Sequence, residues 1–328
     1  MSAKRKGKTA TGSHKFGLTD VVSISDFSRK DIEAVLSKAA EMEKMNSARK
    51  KKILAGKTVA SLFFEPSTRT RLSFETAVQN TGGKVIGFSD EKVTSTKKGE
   101  TLSDTIRMVS GYADMIVMRH HIEGAATRAA EISRRPVINA GDGANQHPTQ
   151  TLLDLYTIKK EFGKIDGLSI GVLGDLKYGR TVHSLAYALA LFRDVKLYCI
   201  APESLKMPQY IIDDVKGRLE VKETDKLEKF LPQLDVLYST RIQQERFPDP
   251  VEYEKVKNIY VLDKGILRHV KKNFRIMHPL PRINEISSDI DNTEAALYFE
   301  QASNGVPVRE AILSLLSNAK KSGGGKNA

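Results

Sequence analysis

From Thr58 to Met277 the chain keeps returning to one pattern, a short apolar run followed by a longer stretch with apolar residues at helical spacing. Few folds accommodate it. The first series predicts strands at Thr58 to Phe64, Lys84 to Phe88, Asp114 to Met118 and Pro136 to Asn139, with helices starting at Thr68, Leu102, Glu123 and Pro148. A second series predicts strands at Leu168 to Leu173, Val195 to Ile200, Val221 to Glu223, Asp235 to Ser239, Ile259 to Leu262 and Phe274 to Met277, with a helix running through Phe192. Strands that alternate with helices cannot pair as hairpins, so the expected class is α/β, with two domains that are each a parallel sheet covered by helices. The helix Thr149 to Phe162, opened by Pro148, lies between the two series and marks the hinge. Upstream, Asp31 to Met45 carries Ile32, Val35, Leu36, Ala39 and Met42 on one helical face, with Ser28 near its cap. A last helix over Tyr298 to Ser317 follows the second series and is expected to pack back on the first domain. The division is then 16–147 with 298–317, and 148–297, between basic tails at 1–15 and 318–328.

A length of 328 residues with 40% hydrophobic and 28% charged content is that of an ordinary globular protein with a large core. No run approaches the ~18 to 20 uncharged apolar residues of a membrane span, and the N-terminus lacks the apolar stretch of a signal peptide. One cysteine, Cys199, sits in an apolar run and is expected to be a buried thiol in a reducing, cytoplasmic setting. The net charge of +12 and pI near 9.5 suggest nucleic acid until the charge is located. Lys4, Arg5, Lys6, Lys8 and Lys15 stand in one tail and Lys320, Lys321 and Lys326 in the other, leaving only +4 for the body. Both tails are poor in apolar residues, so they are expected to be solvated and disordered ends without specific base readout.

The most informative segment runs from Phe63 to Glu75, a buried strand, a turn through Pro66 and Ser67, and a helix opening on Thr68-Arg69-Thr70-Arg71. A helix N-terminus offers free backbone N–H groups and a partial positive charge, and guanidinium forks add directed hydrogen bonds to phosphate oxygens. Capping alone explains Ser67. Arginines in a first turn oppose the helix dipole and call for a compensating anion. Other donors stand at strand ends: Arg119 after one strand, and His147 and Gln150 on either side of Pro148. Read singly, Arg119 is also explained as a strand-end charge and His147 as a helix-start residue; together they would build an oxyanion pocket. In the second series, Gly174-Asp175-Leu176-Lys177-Tyr178-Gly179-Arg180 follows a strand but lacks the glycine spacing of a dinucleotide turn, which disfavours an NAD(P)-dependent oxidoreductase. Arg180 and Arg241 sit where carboxylates could be received, though each alone reads equally as a surface charge. No metal-ligand spacing, Walker A or Gly-x-Ser-x-Gly pattern occurs, so the expected chemistry needs no cofactor or metal.

These residues closely resemble one family, the aspartate carbamoyltransferase catalytic chains, from about Phe16 to Ser317. The resemblance rests on Ser67-Thr68-Arg69-Thr70-Arg71, Lys97-Lys98-Gly99-Glu100-Thr101, Val117-Met118-Arg119-His120, Asn139-Ala140-Gly141-Asp142-Gly143, His147-Pro148-Thr149-Gln150, the Gly174 to Arg180 turn, and His278-Pro279-Leu280-Pro281-Arg282, in that order. It implies a carbamoyl-phosphate-binding first domain and an aspartate-binding second one, acting in pyrimidine biosynthesis. Ser67, Thr68, Arg69, Thr70 and Arg119 would hold the phosphate, and Thr68, Arg119 and His147 would face the carbamoyl oxygen. Gln150 and the carbonyls of Pro279 and Leu280 would hold the carbamoyl nitrogen. Arg180, Arg241 and Gln243 would bind the aspartate carboxylates, Ser95 and Lys98 would arrive from a neighbouring subunit of a homo-oligomer, commonly a trimer, and Glu65 would bridge to Arg180 and Arg246 as the domains close. A separate regulatory chain is compatible with the resemblance.

The sister ornithine enzymes share the phosphate run, so the second substrate discriminates. They resemble this chain less at Ser239-Thr240-Arg241, where they carry Ser-Met-Gly, and at Pro279, where they carry Cys. Arg241 suits a second carboxylate and would repel the ammonium end of ornithine. The expected mechanism is direct attack of the neutral aspartate amine on the carbamoyl carbon, without a covalent enzyme intermediate, the amine proton passing to the departing phosphate.

Overall fold

The computed structural model describes residues 16–90, 98–247, 249–319 and 321. The N-terminal tail, Ser95 and most of the C-terminal tail lie outside the described residues. The chain opens with α1 (Arg29–Lys44) and the single turn α2 (Ser47–Lys50), followed by β1 (Thr58–Phe63), α3 (Thr68–Asn80), β2 (Lys84–Phe88), α4 (Leu102–Tyr112), β3 (Met115–His120), α5 (Ala125–Ile132) and β4 (Val137–Asp142). Helix α6 (Pro148–Phe162) leads to β5 (Ser169–Leu173), α7 (Arg180–Leu189), β6 (Lys196–Ile200), α8 (Gln209–Val215), β7 (Glu220–Thr224), β8 (Val236–Ser239), α9 (Pro250–Val256) and β9 (Arg275–Met277). Helices α10 (Tyr298–Ser303) and α11 (Gly305–Leu316) close the chain.

The strands form two sheets, ordered β2-β1-β3-β4 and β7-β6-β5-β8-β9, with every neighbouring pair parallel. Burial follows position. Central β1 and β3 are buried almost throughout, edge strands β2 and β7 are largely open to solvent, and edge strand β4 is buried, with Val21 bridging to its Ile138. In each sheet the chain builds outward on one side and then returns across the first strand. The reversals fall between β1 and β3 and between β5 and β8, and at such points the loops leaving the carboxyl ends diverge and open a crevice.

Local chemistry sets the element ends. Helix α1 starts at Arg29, earlier than the periodicity predicts, because Ser28 and Asp31 form a reciprocal capping box. The strand expected over Ile259 to Leu262 does not form: Ile259 and Val261 are exposed, and only Leu262 makes an isolated bridge, to Ile286. The last helix, read as continuous, breaks between Ser303 and Gly305, and Gly305 leaves room that a Cβ would contest with Arg309 Nη1 at 2.3 Å. Helix α11 packs against α1 and α3 with Val308, Ile312, Leu313 and Leu316 buried, each contributing about 1.5–3 kcal/mol. Glu310, fully buried, accepts from Asn80 Nδ2 at 2.8 Å and pairs with Lys50 at 2.7 Å, pinning α11 to α2 and α3. Lys321, assigned to the tail from composition, is instead held: its Nζ pairs with Asp20 at 2.6 Å and donates to the Ala130 carbonyl.

Candidate active site

The two crevices face each other across a cleft of about 830 Å³. On the first-domain side, Phe63 of β1 pairs with Arg119 of β3, so the loop Glu65-Pro66-Ser67 and the Arg119 side chain emerge side by side at the reversal point. Ser67 is the N-cap of α3 yet makes no side-chain capping bond, and the first turn of α3 holds Arg69 and Arg71 with no acid to offset the dipole. Thr68 and Arg69 are exposed to the cleft while Thr70 is buried. The arrangement offers hydroxyl, amide and guanidinium donors in one place, with the Glu65 carboxylate beside them.

Arg119 is buried and held in two directions: Nη1 donates to the Ala140 carbonyl at 3.2 Å, and Nη2 pairs with Glu65 Oε1 at 2.9 Å. Its Nε, like Glu65 Oε2, is buried without a hydrogen-bond partner. Arg180, at the start of α7, approaches the same Glu65 Oε2 at 3.7 Å and donates to the Gly143 carbonyl. Glu65 therefore pairs with Arg119 and Arg180; Arg246, expected as its partner on closure, acts on this cluster only as a neighbouring positive charge. Burial, then the repulsion of Arg119, pushes Arg180 down to about 10, and burial followed by the charges of Arg119 and Arg241 lowers Arg69. Among the described residues, Arg69, Arg119, Arg180 and Arg241 line the cleft against one acid, Glu65. A cavity with such a surplus of half-buried cations is complementary to a polyanion.

Gly141 makes the arginine cluster possible. Its φ is +115°, and a Cβ there would lie 2.9 Å from Arg119 Nη1 and 3.3 Å from Arg180 Cζ. The sequence motif contained this glycine but gave it no role. Just beyond, Asp142 gathers the turn that delivers His147: its carboxylate accepts from Asn139 Nδ2, Gly124 N, Asn145 Nδ2 and Gln146 N. His147 is buried, and burial first, then Arg180 and Arg119, hold its ring far below the ordinary histidine range, so it enters the cleft neutral. Thr149 Oγ1 stands 3.5 Å from His147 Nδ1, a contact in which either atom is the donor according to the ring's tautomer.

The second-domain wall carries Arg180, Arg241 and Gln243. Leu173 of β5 pairs with Ser239 of β8, which sets the Gly174 and Thr240 turns against each other at the second reversal point. Gly174 has φ +111°, and a Cβ would meet the Thr240 carbonyl at 2.4 Å, so this glycine serves strand packing and not a nucleotide. Asp175 orients the turn by accepting from Tyr178 N and Gln243 N, and Gln243 Nε2 donates to the Tyr178 carbonyl at 3.2 Å.

The third wall is the turn after β9. His278 Nδ1 accepts from Leu280 N at 2.8 Å, which makes Nε2 the protonated nitrogen that meets Glu285 Oε1 at 2.7 Å. Leu280 takes φ +54°, unusual for a branched residue, and its peptide to Pro281 is cis. Arg282 anchors the turn from behind through Asp291 and Tyr298. Thirteen residues singled out from the sequence thus come together here: Glu65, Ser67, Thr68, Arg69, Thr70, Arg119, His147, Gln150, Arg180, Arg241, Gln243, Pro279 and Leu280. Lys98 is exposed and lines no part of its own chain's cleft, nor does Arg246. Gln301 and Arg309 do line it and were not foreseen. Among the described residues no group of histidine, cysteine or acidic side chains is arranged to hold a metal ion, and no helix is long and apolar enough to cross a membrane.

Comparison with known proteins gives a consistent picture. Residues 19–160 match the model of the aspartate/ornithine carbamoyltransferase carbamoyl-P binding domain, and residues 166–316 that of the Asp/Orn binding domain. The chain is 60% identical to the aspartate carbamoyltransferase catalytic subunit of Thermococcus kodakarensis over 90% of its length and 96% of that protein, and 55% identical to that of Methanopyrus kandleri over 92% and 98%. Among solved structures it resembles the catalytic subunit of M. jannaschii aspartate transcarbamoylase with a TM-score of 0.84 at 53% identity, covering 91% of this chain and 98% of that one. It resembles the Trypanosoma cruzi aspartate transcarbamoylase in complex with carbamoyl phosphate and aspartate with a TM-score of 0.86 at 38% identity, covering 90% and 96%.

Proposed function

The chain belongs to the aspartate/ornithine carbamoyltransferase family, and from that premise we infer that it transfers the carbamoyl group of carbamoyl phosphate to the amino group of L-aspartate. The products are N-carbamoyl-L-aspartate and phosphate, an early step of pyrimidine biosynthesis. The observation that carries the choice of acceptor is Arg241, which lines the cleft with Arg180 and Gln243 on the wall opposite the phosphate cradle. Aspartate has two carboxylates to place there. Ornithine would bring an ammonium group to the same arginine.

In this reading Ser67, Thr68, Arg69, Thr70 and Arg119 take the phosphate, whose charge offsets the uncompensated first turn of α3. Thr68, Arg119 and neutral His147 donate to the carbamoyl oxygen, where negative charge grows as the amine attacks; one such donor is typically worth ~10² to 10³ in kcat. Neutrality matters for His147, because its ring can donate without adding a further buried cation beside Arg119 and Arg180. Gln150 and the Pro279 and Leu280 carbonyls accept from the carbamoyl NH2, leaving the carbon facing the amine. The proton of the attacking amine goes to the departing phosphate, and the reaction needs no cofactor. We place the phosphate half of the site in 16–147 with 298–317 and the aspartate half in 148–297, with α6 as hinge, Glu65 and Arg246 approaching as the halves close.

Lys98 enters this reading only from another subunit. Leu72 on α3, Ile86 on β2, and Met108 and Tyr112 on α4 are exposed apolar residues of the domain that carries Lys98, and a second copy, completing a homotrimer, would cover them. A regulatory chain and a cytoplasmic location complete the proposal; burial pushes the Cys199 thiol up to about 12, which leaves it unreactive in a reducing compartment. The central test is to incubate the pure protein with carbamoyl phosphate and either L-aspartate or L-ornithine and measure ureido product. Product with ornithine alone overturns the acceptor. Shared sites are tested by mixing inactive Lys98→Gln and Arg69→Ala proteins under subunit exchange: regained activity requires residues from two chains, and its absence refutes the shared site.

A further inference from the structure

Asp154 is a fully buried carboxylate on α6, in the midst of Leu152, Leu153, Leu155 and Tyr156, and no part of the reaction as described uses it. Its two oxygens nonetheless collect three elements. Oδ1 accepts from Gln150 Nε2 at 2.9 Å, one helical turn away, and from Gln301 Nε2 of α10 at 2.7 Å. Oδ2 accepts from the Tyr238 hydroxyl of β8 at 3.0 Å.

Oδ1 accepts from both glutamines, so each turns an N–H group toward it, and a proton on the carboxyl would sit on Oδ2. For Gln150 this leaves Oε1 as the amide atom for the cleft, which it lines. Gln301 is read from both ends: Nε2 meets Asp154, and Oε1 accepts from His278 N at 2.8 Å. His278 begins the turn whose Pro279 and Leu280 line the cleft, and its Nδ1 accepts from Leu280 N. One carboxylate thus stands behind every acceptor assigned to the carbamoyl nitrogen, directly for Gln150 and through Gln301 and His278 for the carbonyls.

We propose that Asp154 is a positioning residue that fixes Gln150 Oε1 and the 278–280 turn as an all-acceptor pocket, and thereby makes the site select a carbamoyl NH2 over a methyl group of the same size. The proposal rests on the assignment of Gln150, Pro279 and Leu280 to the carbamoyl nitrogen. Tyr238 and Gln301 also keep the carboxylate's lone pairs occupied, so the pocket's polarity is set by hydrogen bonding and needs no charge at the substrate itself.

The test compares affinities for carbamoyl phosphate, acetyl phosphate and inorganic phosphate. Acetyl phosphate keeps the phosphate and the carbonyl and replaces NH2 by CH3. Asp154→Ala is expected to weaken carbamoyl phosphate ~10- to 100-fold, the usual consequence of misaligned hydrogen-bond partners, while acetyl phosphate and phosphate stay within about twofold. Asp154→Asn, whose Oδ1 can still accept from both glutamines while its NH2 faces the Tyr238 oxygen, is expected to regain most of the discrimination. Gln301→Leu provides the same comparison if the alanine variant does not fold, with a smaller selective loss. Equal losses for all three ligands, or none for carbamoyl phosphate, overturn the proposal. Gln150→Ala separates the two levels: unchanged discrimination there refutes the assignment of the nitrogen pocket, whereas selective loss in Gln150→Ala without loss in Asp154→Ala and Gln301→Leu refutes the role of Asp154 alone.

Discussion

Replacing Gly141 by alanine adds one methyl group behind the two buried arginines. The backbone there has φ +115°, which costs an L-residue about 1–3 kcal/mol before any contact is counted. The new Cβ would also stand 2.9 Å from Arg119 Nη1. An arginine tip in solvent steps aside at little cost, but this one is buried and fixed by the Ala140 carbonyl and Glu65, and Arg180 Cζ lies only 3.3 Å from the same point. The tip must give up at least one of its hydrogen bonds or move along the cleft. A displacement on the order of 1 Å at an oxyanion donor costs about 100-fold in rate, so kcat should fall ~10- to 100-fold. KM for aspartate should rise as Arg180 is pushed. Gly217→Ala is the control: its φ of +86° carries the same kind of backbone penalty, yet a Cβ there meets nothing within 4 Å. Both variants should melt at lower temperature, and only Gly141→Ala should lose turnover, measured as ureido product at saturating substrates. Wild-type kcat in Gly141→Ala would show that the arginines are not held where the geometry indicates.

Removing the Arg241 guanidinium by alanine substitution should raise the aspartate KM by roughly 10- to 100-fold, the worth of a charge-assisted pair, with carbamoyl phosphate affinity nearly unchanged; equal kinetics would remove its role. Arg69→Ala should abolish detectable phosphate binding by calorimetry while circular dichroism and melting stay close to wild type. Burial holds the Asp154 carboxyl up to about 7, above its unfolded value near 3.8, so its contribution to stability is present at low pH and is lost as pH rises toward about 7. Asp154→Asn should remove that slope, so in denaturant unfolding between about pH 4 and 8 the wild type should lose stability relative to the variant as pH rises toward about 7; parallel curves, or a relative gain, would contradict the shift. His147 runs the other way: depressed in the folded state, it contributes stability above about pH 6.5 that is lost as pH falls through its much lower folded value.

The alternation of apolar runs and helical stretches was enough to find both parallel sheets, because buried parallel strands are apolar on both faces and leave a strong signal. It failed at Ile259 to Leu262, where Ile259 and Val261 are exposed and only the buried Leu262 makes a bridge. The strand-end arginines and the helix-start residues were legible as donors because they follow predictable breaks in the pattern. Their convergence was not, since it depends on which strands become neighbours: Phe63 beside Arg119 and Leu173 beside Ser239 are facts of sheet order. Asp154 and Arg309 were missed for a different reason. Each stands beside apolar residues on a buried stretch of helix, Asp154 between Leu153 and Leu155 and Arg309 after Val308, and that oddity was the available signal, a buried charge needing partners from elsewhere in the chain.

The return of α11 to α1 and α3 gives the molecule a definite order of assembly. Residues 305–316 are synthesised after the whole second domain, yet they cover the faces of α1 and α3 and supply the buried Glu310 that meets Lys50 and Asn80. While the chain is still growing, the phosphate-binding half has every strand of its sheet but not its last layer of cover. The second domain can complete its own five strands by Met277, so the half made first becomes whole last. A chain stopped at Ser303 would lose no cradle residue, and would nonetheless leave apolar faces of the first domain open to water or to other chains.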